Sequence, residues 1–319
     1  MAESFDIKDI EGVGPATASK LKEAGFYSIE SIAAAPTREF VEKGGLTSET
    51  ASKLTEAARK MAKIDFISAK ELWNKRKAMI KLSTGCDSLN ELIGGGIETQ
   101  AMTEFWGEYG SGKSQICMKL SVMTQLPKEQ GGIDGNVLFI DTEGTFSPER
   151  IISMAGVVEL DPEKVLDKIY YARCYNSDHQ TLIVENSFKL CHEENIKLVI
   201  VDSLTSHWRA DYVGRETLSE RQQKLNRHLH KLLRLAEIEN LAVVVTNQVQ
   251  ANPAVFFGDP NRPAGGHVLA HASTHRIFLR KSKGSLRVAK ITDSPCLSSE
   301  TEAHFIITER GIEEVSEKE

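Results

Sequence analysis

A lysine and a serine stand side by side at positions 113 and 114, behind glycines at 107, 110 and 112, and no other cluster in the chain promises as much chemistry. The run Gly107, Glu108, Tyr109, Gly110, Ser111, Gly112, Lys113, Ser114 has the spacing G-x-x-x-x-G-K-S of a phosphate-binding loop. Such a loop grips an anion with backbone N–H groups, so side chains must keep clear. The glycines remove that obstruction and permit positive φ. Lys113 can reach the β- and γ-phosphates, and the Ser114 hydroxyl can join a Mg²⁺ shell. Gln115 follows in a helix-compatible run to Met123, and a helix N-terminus adds partial positive charge. The expected ligand is ATP with Mg²⁺.

Other residues fit the same chemistry. Leu198–Asp202 is an apolar strand ending in a carboxylate, the pattern of an Asp202 that holds Mg²⁺ opposite Ser114. Val137–Asp141 is a second such strand, and Glu143 stands just beyond its end, where parallel sheets bind ligands. A carboxylate there can orient and deprotonate an attacking water. Arg150 follows, and its planar guanidinium can stack on adenine. Thr246-Asn247-Gln248 closes another strand. Gln248 is expected to sense the γ-phosphate, whereas Asn247 also reads as an ordinary polar residue at a loop start. His267 and His271 form an H-x-x-x-H pair without the glutamate of a metalloprotease helix and without a cysteine cluster. A phosphate-facing His267 or a packed core His271 is expected instead of a metal site.

These groups need a scaffold, and the chain from Leu82 onward supplies one. Apolar β-branched runs alternate with amphipathic stretches, the signature of an α/β fold. Strands are predicted at 101–106, 137–141, 168–172, 198–202 and 241–246, with LVIVD and LAVVVT buried on both faces. A helix is predicted over 218–237, with Leu218, Leu225, Leu229, Leu232 and Ala236 on one face and basic residues on the other. The tail reads as antiparallel strands at 276–281, 286–293 and 303–308.

Residues 1–62 differ, being rich in helix formers and carrying a weak repeat. Copies at 10–26 and 42–60 each read as a glycine-bearing turn, a cap and a helix with A-x-K-L. In the first copy Gly12 and Gly14 predict a tight helix hairpin, with Pro15 in the first helical turn and Leu21 and Ala24 facing Ile10 and Val13. The pattern looks like a helix-hairpin-helix, whose exposed N–H groups can grip a DNA phosphate; a plain helical bundle would look similar. The second copy lacks G-x-G and is expected only to pack. Residues 63–81 form a linker. In it Phe66 and Ala69 set a large and a small residue on a polar connector, where Phe66 either caps its own domain or plugs a pocket on a neighbouring subunit. The basic run 74–81 reads as a solvated face.

Two further stretches suit single-stranded DNA. His207–Thr217 carries Arg209, Tyr212 and Arg215. Val249–Gly266 has no periodicity, is long for a loop, and shows Phe256 and Phe257 among Gly, Pro and Asn. Cations meet phosphates while aromatics stack on or wedge between bases. Both loops leave the sheet at the same end, after neighbouring strands.

Composition bounds the rest. The chain has 319 residues, 40% of them hydrophobic and 26% charged, with no apolar run long enough for a membrane helix. Its start is polar and acidic, unlike a secretory signal. Five dispersed cysteines suit reduced thiols in the cytoplasm. A net charge of −6 argues against a generic polyanion binder, so nucleic-acid contacts must be local.

With these residues in view the chain resembles the RecA-like strand-exchange recombinases, in particular the archaeal RadA branch. The resemblance runs essentially end to end. It rests on EGVGPATASKL, FISA, FWGEYGSGKSQIC, FIDTEGTFSPERI, ARCYNSDHQ, VIVDSLTSHWRADYVGRETL, VTNQV and GGHVLAHASTHRIFLRK. It implies a RecA-type P-loop ATPase core, a mostly parallel twisted sheet with helices on both faces, behind a small all-α helix-hairpin-helix domain. It further implies a homo-oligomeric filament or ring, binding to single- and double-stranded DNA, and ATP at subunit interfaces. Under it Phe66 and Ala69 match the polymerisation motif, and Lys113, Ser114, Glu143 and Asp202 the ATPase residues. Arg150 matches the adenine contact, and Gln248 and His267 the γ-phosphate sensors. Asp293-Ser294-Pro295 matches the segment that caps the neighbour's nucleotide. Arg209, Tyr212 and Arg215 match the first DNA loop, and Val249 through Gly265 and Gly266 the second. A monovalent cation near the γ-phosphate is a further candidate whose need the sequence leaves open. Ser147 departs from the family by standing where many relatives carry a basic residue.

Overall fold

The computed structural model of the chain describes residues 6–62, 66–251 and 261–315. It forms two compact units. One contains the described residues up to Met79 together with Glu185–Glu193, the other Ile80–Val184 and the described residues from Glu194 on.

The first unit opens with a 3₁₀ turn at Ile7–Asp9 and continues through α1 (Pro15–Glu23), α2 (Ile29–Ala34), α3 (Thr37–Glu42), α4 (Ser48–Met61) and α5 (Ala69–Lys77). Hydroxyl side chains start several of these helices. Ser28 accepts the Ser31 N–H, Thr47 that of Thr50, and Ser68 that of Glu71, each satisfying an orphan donor. Ile10, Val13, Leu21, Phe26, Ile32, Phe40 and Leu54 make one core, and Ala24 packs against it as the repeat predicts. The two glycines of the hairpin differ. Gly12 has φ +86°, which a side chain resists, whereas Gly14 caps α1 at φ −82° and nothing crowds the place of its missing Cβ. The second repeat copy packs, burying Ala51, Leu54 and Ala58 of α4. In the linker, Phe66 is fully exposed and α5 buries none of its residues, leaving Leu72 and Trp73 open to solvent.

The second unit is built on one large sheet. A two-stranded ribbon, β1 (Lys81–Leu82) with β2 (Ile97–Glu98), leads in around α6 (Asp87–Leu92). Then follow β3 (Met102–Gly107), α7 (Lys113–Met123), β4 (Asn136–Asp141), α8 (Pro148–Val157), α9 (Pro162–Asp167), β5 (Ile169–Arg173), α10 (Ser177–Glu193, of which this unit holds the part up to Val184), β6 (Ile196–Asp202), α11 (Ser206–Asp211), α12 (Leu218–Ile238) and β7 (Ala242–Ala251). The chain ends through β8 (Asn261–Pro263), α13 (Gly266–Ala272), β9 (His275–Lys281), β10 (Leu286–Asp293), β11 (Glu302–Thr308) and β12 (Gly311–Glu314). The strand order is β12-β11-β10-β9-β3-β7-β6-β4-β5, parallel from β9 to β5 and antiparallel from β9 to β12. The central strands are buried on both faces. Leu198, Ile200, Ala242 and Val244 share a core with α7, while alternate residues Val199, Val201, Val243 and Val245 point the other way.

Several expectations need correcting. On α12, Leu218 is exposed and the buried stripe is Leu225, His228, Leu229, Leu232, Leu235 and Ala236. Leu218 has the angular position of the stripe but is the first residue of α12, at the helix end, where it stays exposed. The stretch 249–266 is not without regular structure. β7 runs on to Ala251 and pairs antiparallel with β8, and Gly266 opens α13. Phe256 and Phe257 lie outside the described residues. Arg209 sits on α11 instead of in a loop.

Gly12→Ala is expected to cost the first unit about 1 kcal/mol from the strained left-handed backbone, and Gly14→Ala to change stability by less than about 0.5 kcal/mol. Denaturation midpoints of the full chain distinguish the two.

Candidate functional site

A cleft of about 950 Å³ opens at the C-terminal ends of β3, β4, β6 and β7. The phosphate-binding loop forms its floor between β3 and α7. Gly110 and Gly112 adopt positive φ, +73° and +107°, as expected. Gly107 does not; it is needed because a Cβ there would lie 2.1 Å from the Leu279 carbonyl oxygen of β9. Lys113 Nζ donates to the Gly107 and Glu108 carbonyls, both at 2.9 Å, so the ammonium is held over the loop. Burial lowers its pKa, and the nearby Asp202 and Glu143 carboxylates oppose that shift. Ser111 Oγ is buried in the loop without a hydrogen-bond partner.

Asp202 ends β6 almost fully buried. Its carboxylate accepts hydrogen bonds from the hydroxyls of Ser114, Thr246 and Thr145. Burial nevertheless raises its pKa, with Glu143 and Asp141 adding like charge. A carboxylate tied to a serine hydroxyl beside a phosphate loop fits Mg²⁺, which keeps few protein ligands and takes the rest from phosphates and water. Among the described residues no cluster of His, Cys, Asp and Glu could hold a metal by itself.

Glu143 stands where the sequence predicts. Its Oε1 accepts from Gln248 Nε2 at 2.5 Å and from Ser203 Oγ at 2.8 Å. The turn that carries it is built by Asp141, which in the sequence alone looks like no more than a strand end. Asp141 Oδ1 accepts the N–H groups of Glu143 and Gly144 at 3.0 and 2.6 Å, and Oδ2 that of Phe146 at 3.2 Å. Arg150 lines the far wall, fixed by Gln115 Oε1 at 2.7 Å and the Thr308 and Glu309 carbonyls at 2.9 and 2.6 Å. Its guanidinium is thus locked as a flat surface beside the cleft. Tyr109, on the loop, is 94% exposed.

Asn247 is not a loop-start polar residue. It is fully buried, with Oδ1 accepting from Thr205 Oγ1 at 2.7 Å. Its Nδ2 donates to Glu104 Oε1 at 2.8 Å and to the Ala264 carbonyl at 2.7 Å. Glu104, also fully buried, is balanced by Arg276 at 2.6 Å. Thr205 precedes the first proposed DNA loop and Ala264 closes the second, so Asn247 ties their roots together.

In the first loop Arg209 and Arg215 are exposed, while Tyr212 is half-buried, stacked on Trp208 and bonded through its hydroxyl to Lys224 Nζ at 2.6 Å. Val249, expected among the DNA contacts, lines the nucleotide cleft. Gly265 and Gly266 cap and open α13 with positive φ. His267, Asp293 and Pro295 are exposed and do not line the cleft of their own chain. His271 is exposed too, contrary to the packed position expected, because α13 turns only Leu269 fully inward.

The Rad51 family profile matches residues 75–315, the whole of this sheet and its cleft. The chain is a member of the Rad51 family. Residues 5–60 match the SAM-like helix-hairpin-helix tandem. The DNA repair and recombination protein RadA of Aeropyrum pernix is 52% identical over 310 residues, 97% of each chain. A Rad51-type core behind a helix-hairpin-helix domain is therefore the architecture of the chain, and the archaeal resemblance holds.

A raised carboxyl pKa means that the folded Rad51-type core holds the Asp202 proton more tightly than the unfolded chain does. Stability from this group is present in acid and lost as pH rises through the folded value, so at neutral pH the charge is a cost. Asp202→Asn should raise the ligand-free melting temperature at pH 7 while losing Mg²⁺-dependent nucleotide binding. A lowered melting temperature in calorimetry would contradict the assignment.

Proposed function

We propose that the chain is a DNA-dependent ATPase that forms filaments on single-stranded DNA and catalyses homologous pairing and strand exchange in recombination and repair. The observation that carries this reading is the Gln248–Glu143 hydrogen bond in the second half of β7, flanked by Thr246 on Asp202 and Asn247 on both loop roots. It links groups suited to water activation with the segments suited to DNA.

In this reading Lys113 leaves the loop carbonyls for the β- and γ-phosphates, and the loop N–H groups take the remaining oxygens. Mg²⁺, when bound through Ser114 and Asp202, supplies charge neutralisation at the phosphates. Glu143 orients and deprotonates the attacking water, while Gln248 exchanges its bond to Glu143 for one to the γ-phosphate and reports that state along β7. Arg150 stacks on adenine. Exposed His267 and His271 share one face of α13, with ring centroids 6.3 Å apart. Together with Asp293 and Pro295 they are suited to meet the nucleotide of an adjacent subunit. Phe66 and Ala69 dock on that subunit. Arg209, Arg215 and the second loop contact DNA phosphates and bases, and base pairing supplies sequence identity. ATP acts as a conformational ligand of the filament more than as the source of a stroke. The protein works in the cytoplasm, and no helix among the described residues is long and apolar enough to cross a membrane.

Lys113→Ala is expected to lose nucleotide binding and strand exchange together; full DNA-stimulated turnover in that variant refutes the site. Phe66→Ala should shorten the assemblies seen by electron microscopy, and unchanged filaments would remove its interface role. Affinity for single-stranded DNA should fall with salt at a log–log slope of about −0.7 per phosphate neutralised. A flat response counts against the DNA loops.

A further inference from the structure

The segment after β10 is fastened by a buried network that the nucleotide cleft does not share. Around residues 293–295 the side chains alternate. Asp293 and Pro295 are exposed, and Ser294 between them turns inward. Ser294 Oγ lies 3.0 Å from His275 Nδ1 and accepts the N–H groups of Leu297 at 3.0 Å and Cys296 at 3.2 Å. His275 opens β9 with its side chain only 5% exposed, and its Nε2 lies 3.3 Å from Glu98 Oε2. Lys81 Nζ sits 3.2 Å from the other Glu98 oxygen.

The hydrogens can be assigned from this pattern. Ser294 Oγ already accepts from two backbone N–H groups, so its own hydrogen is available to His275 Nδ1. The ring then carries its proton on Nε2 and donates it to Glu98. The His275 hydrogen bond, aided by Lys81 and against the penalty of burial, holds the Glu98 carboxyl down to about 2, so it stays an acceptor at any working pH. Every polar group in the chain Lys81–Glu98–His275–Ser294 thus has a partner.

Stability alone does not call for such an arrangement. A buried ionic group is commonly replaceable by an apolar one of similar size at little cost. The network ends instead on the single inward-facing residue of an exposed tripeptide. Neighbouring anchors act on the same stretch. The β9–β10 register shifts between Ile291 and Asp293, and Thr292 Oγ1 takes the Trp106 Nε1 hydrogen at 3.1 Å and donates to the Arg276 carbonyl at 3.1 Å. Downstream, Leu297 packs against the core.

We propose that His275, acting through Ser294 and backed by Glu98, is a positioning residue for nucleotide binding: it sets the stance in which Asp293 and Pro295 meet the nucleotide held by an adjacent copy of the chain. The inference rests on the reading that this tripeptide caps the neighbour's nucleotide.

Steady-state DNA-stimulated ATP hydrolysis by the full-length protein, measured across an ATP series, tests it. Ser294→Ala and His275→Ala should each raise the KM for ATP roughly five- to tenfold, the effect of one lost hydrogen bond, and leave kcat within about twofold. His275→Asn, whose amide can occupy the place of Nδ1, should recover most of that loss. Asp293→Ala tests the underlying reading separately. A raised KM in Asp293→Ala with an unchanged KM in Ser294→Ala and His275→Ala overturns the fastening and leaves the cap intact. An unchanged KM in all of them overturns both. Should His275→Ala fail to fold, the half-buried Ser294→Ala carries the decision. Equal losses of kcat and melting temperature that His275→Asn does not restore assign the network to folding alone and also overturn the proposal.

Discussion

The two-residue alternation of a β-strand governs this site, and it acts at residues 246–248 of β7. Thr246 and Gln248 point to the face shared with the phosphate loop, Asn247 to the opposite face. Because β7 lies between β3 and β6, this tripeptide lies within reach of groups carried by both. Thr246 bonds Asp202, Gln248 bonds Glu143, and Asn247 bonds Thr205, Glu104 and the Ala264 carbonyl. A shift of this one tripeptide cannot change its bonds on the cleft face without straining those on the loop face. All the Asn247 bonds are buried, so each would be costly to leave unmade.

Around that tripeptide the core tolerates charges that a stable protein of this size has no need of. Asp202 and Glu104 are both buried, Asp141 is fully so, and Lys113 is partly desolvated. Their energetics differ. Glu104 has Arg276 at 2.6 Å and Asp141 has Arg173 at 3.3 Å together with a set of backbone donors, so each is a closed structural unit. Asp202 has only hydroxyl donors, and burial lifts its pKa. A carboxylate left short of compensating charge beside a lysine held on loop carbonyls marks where a ligand must complete the electrostatics. That contrast separates the carboxylates that build the cleft from the ones that would work in it.

Much of this was legible in the sequence, for identifiable reasons. The glycine spacing of the phosphate loop, the strands ending in Asp141 and Asp202, and the placement of Glu143 and Gln248 follow from motifs whose geometry is nearly context-free. The part that could not be read depends on tertiary neighbours. Asn247 looks like any polar residue after a strand until Thr205, Glu104 and Ala264, distant in sequence, are brought against it. Gly107 looks like a residue kept for positive φ, yet it is fixed by the Leu279 carbonyl of a strand far along the chain. His271 was expected inside as the ordinary alternative to a metal site, but α13 is a single short helix with little inward face. Leu218 has the right helical phase for the buried stripe but stands at the very start of α12, where it is exposed.

The exposed residues complete the argument. In one chain the cleft gathers Lys113, Ser114, Glu143, Arg150, Asp202 and Gln248, whereas His267, His271, Asp293 and Pro295 face solvent elsewhere. On the proposed reading, a nucleotide bound by the first set is completed by the second set of a neighbour. Ligand binding then favours assembly by mass action, since only the assembled state offers the full site. The same logic explains how an acidic chain can hold DNA. With a net charge of −6, a lone protomer offers a phosphate chain local cations such as Arg209 and Arg215 and little general attraction. Repetition along a filament multiplies those contacts at high effective concentration. Nucleotide occupancy that holds neighbours together would therefore control DNA affinity without altering a single DNA-facing side chain.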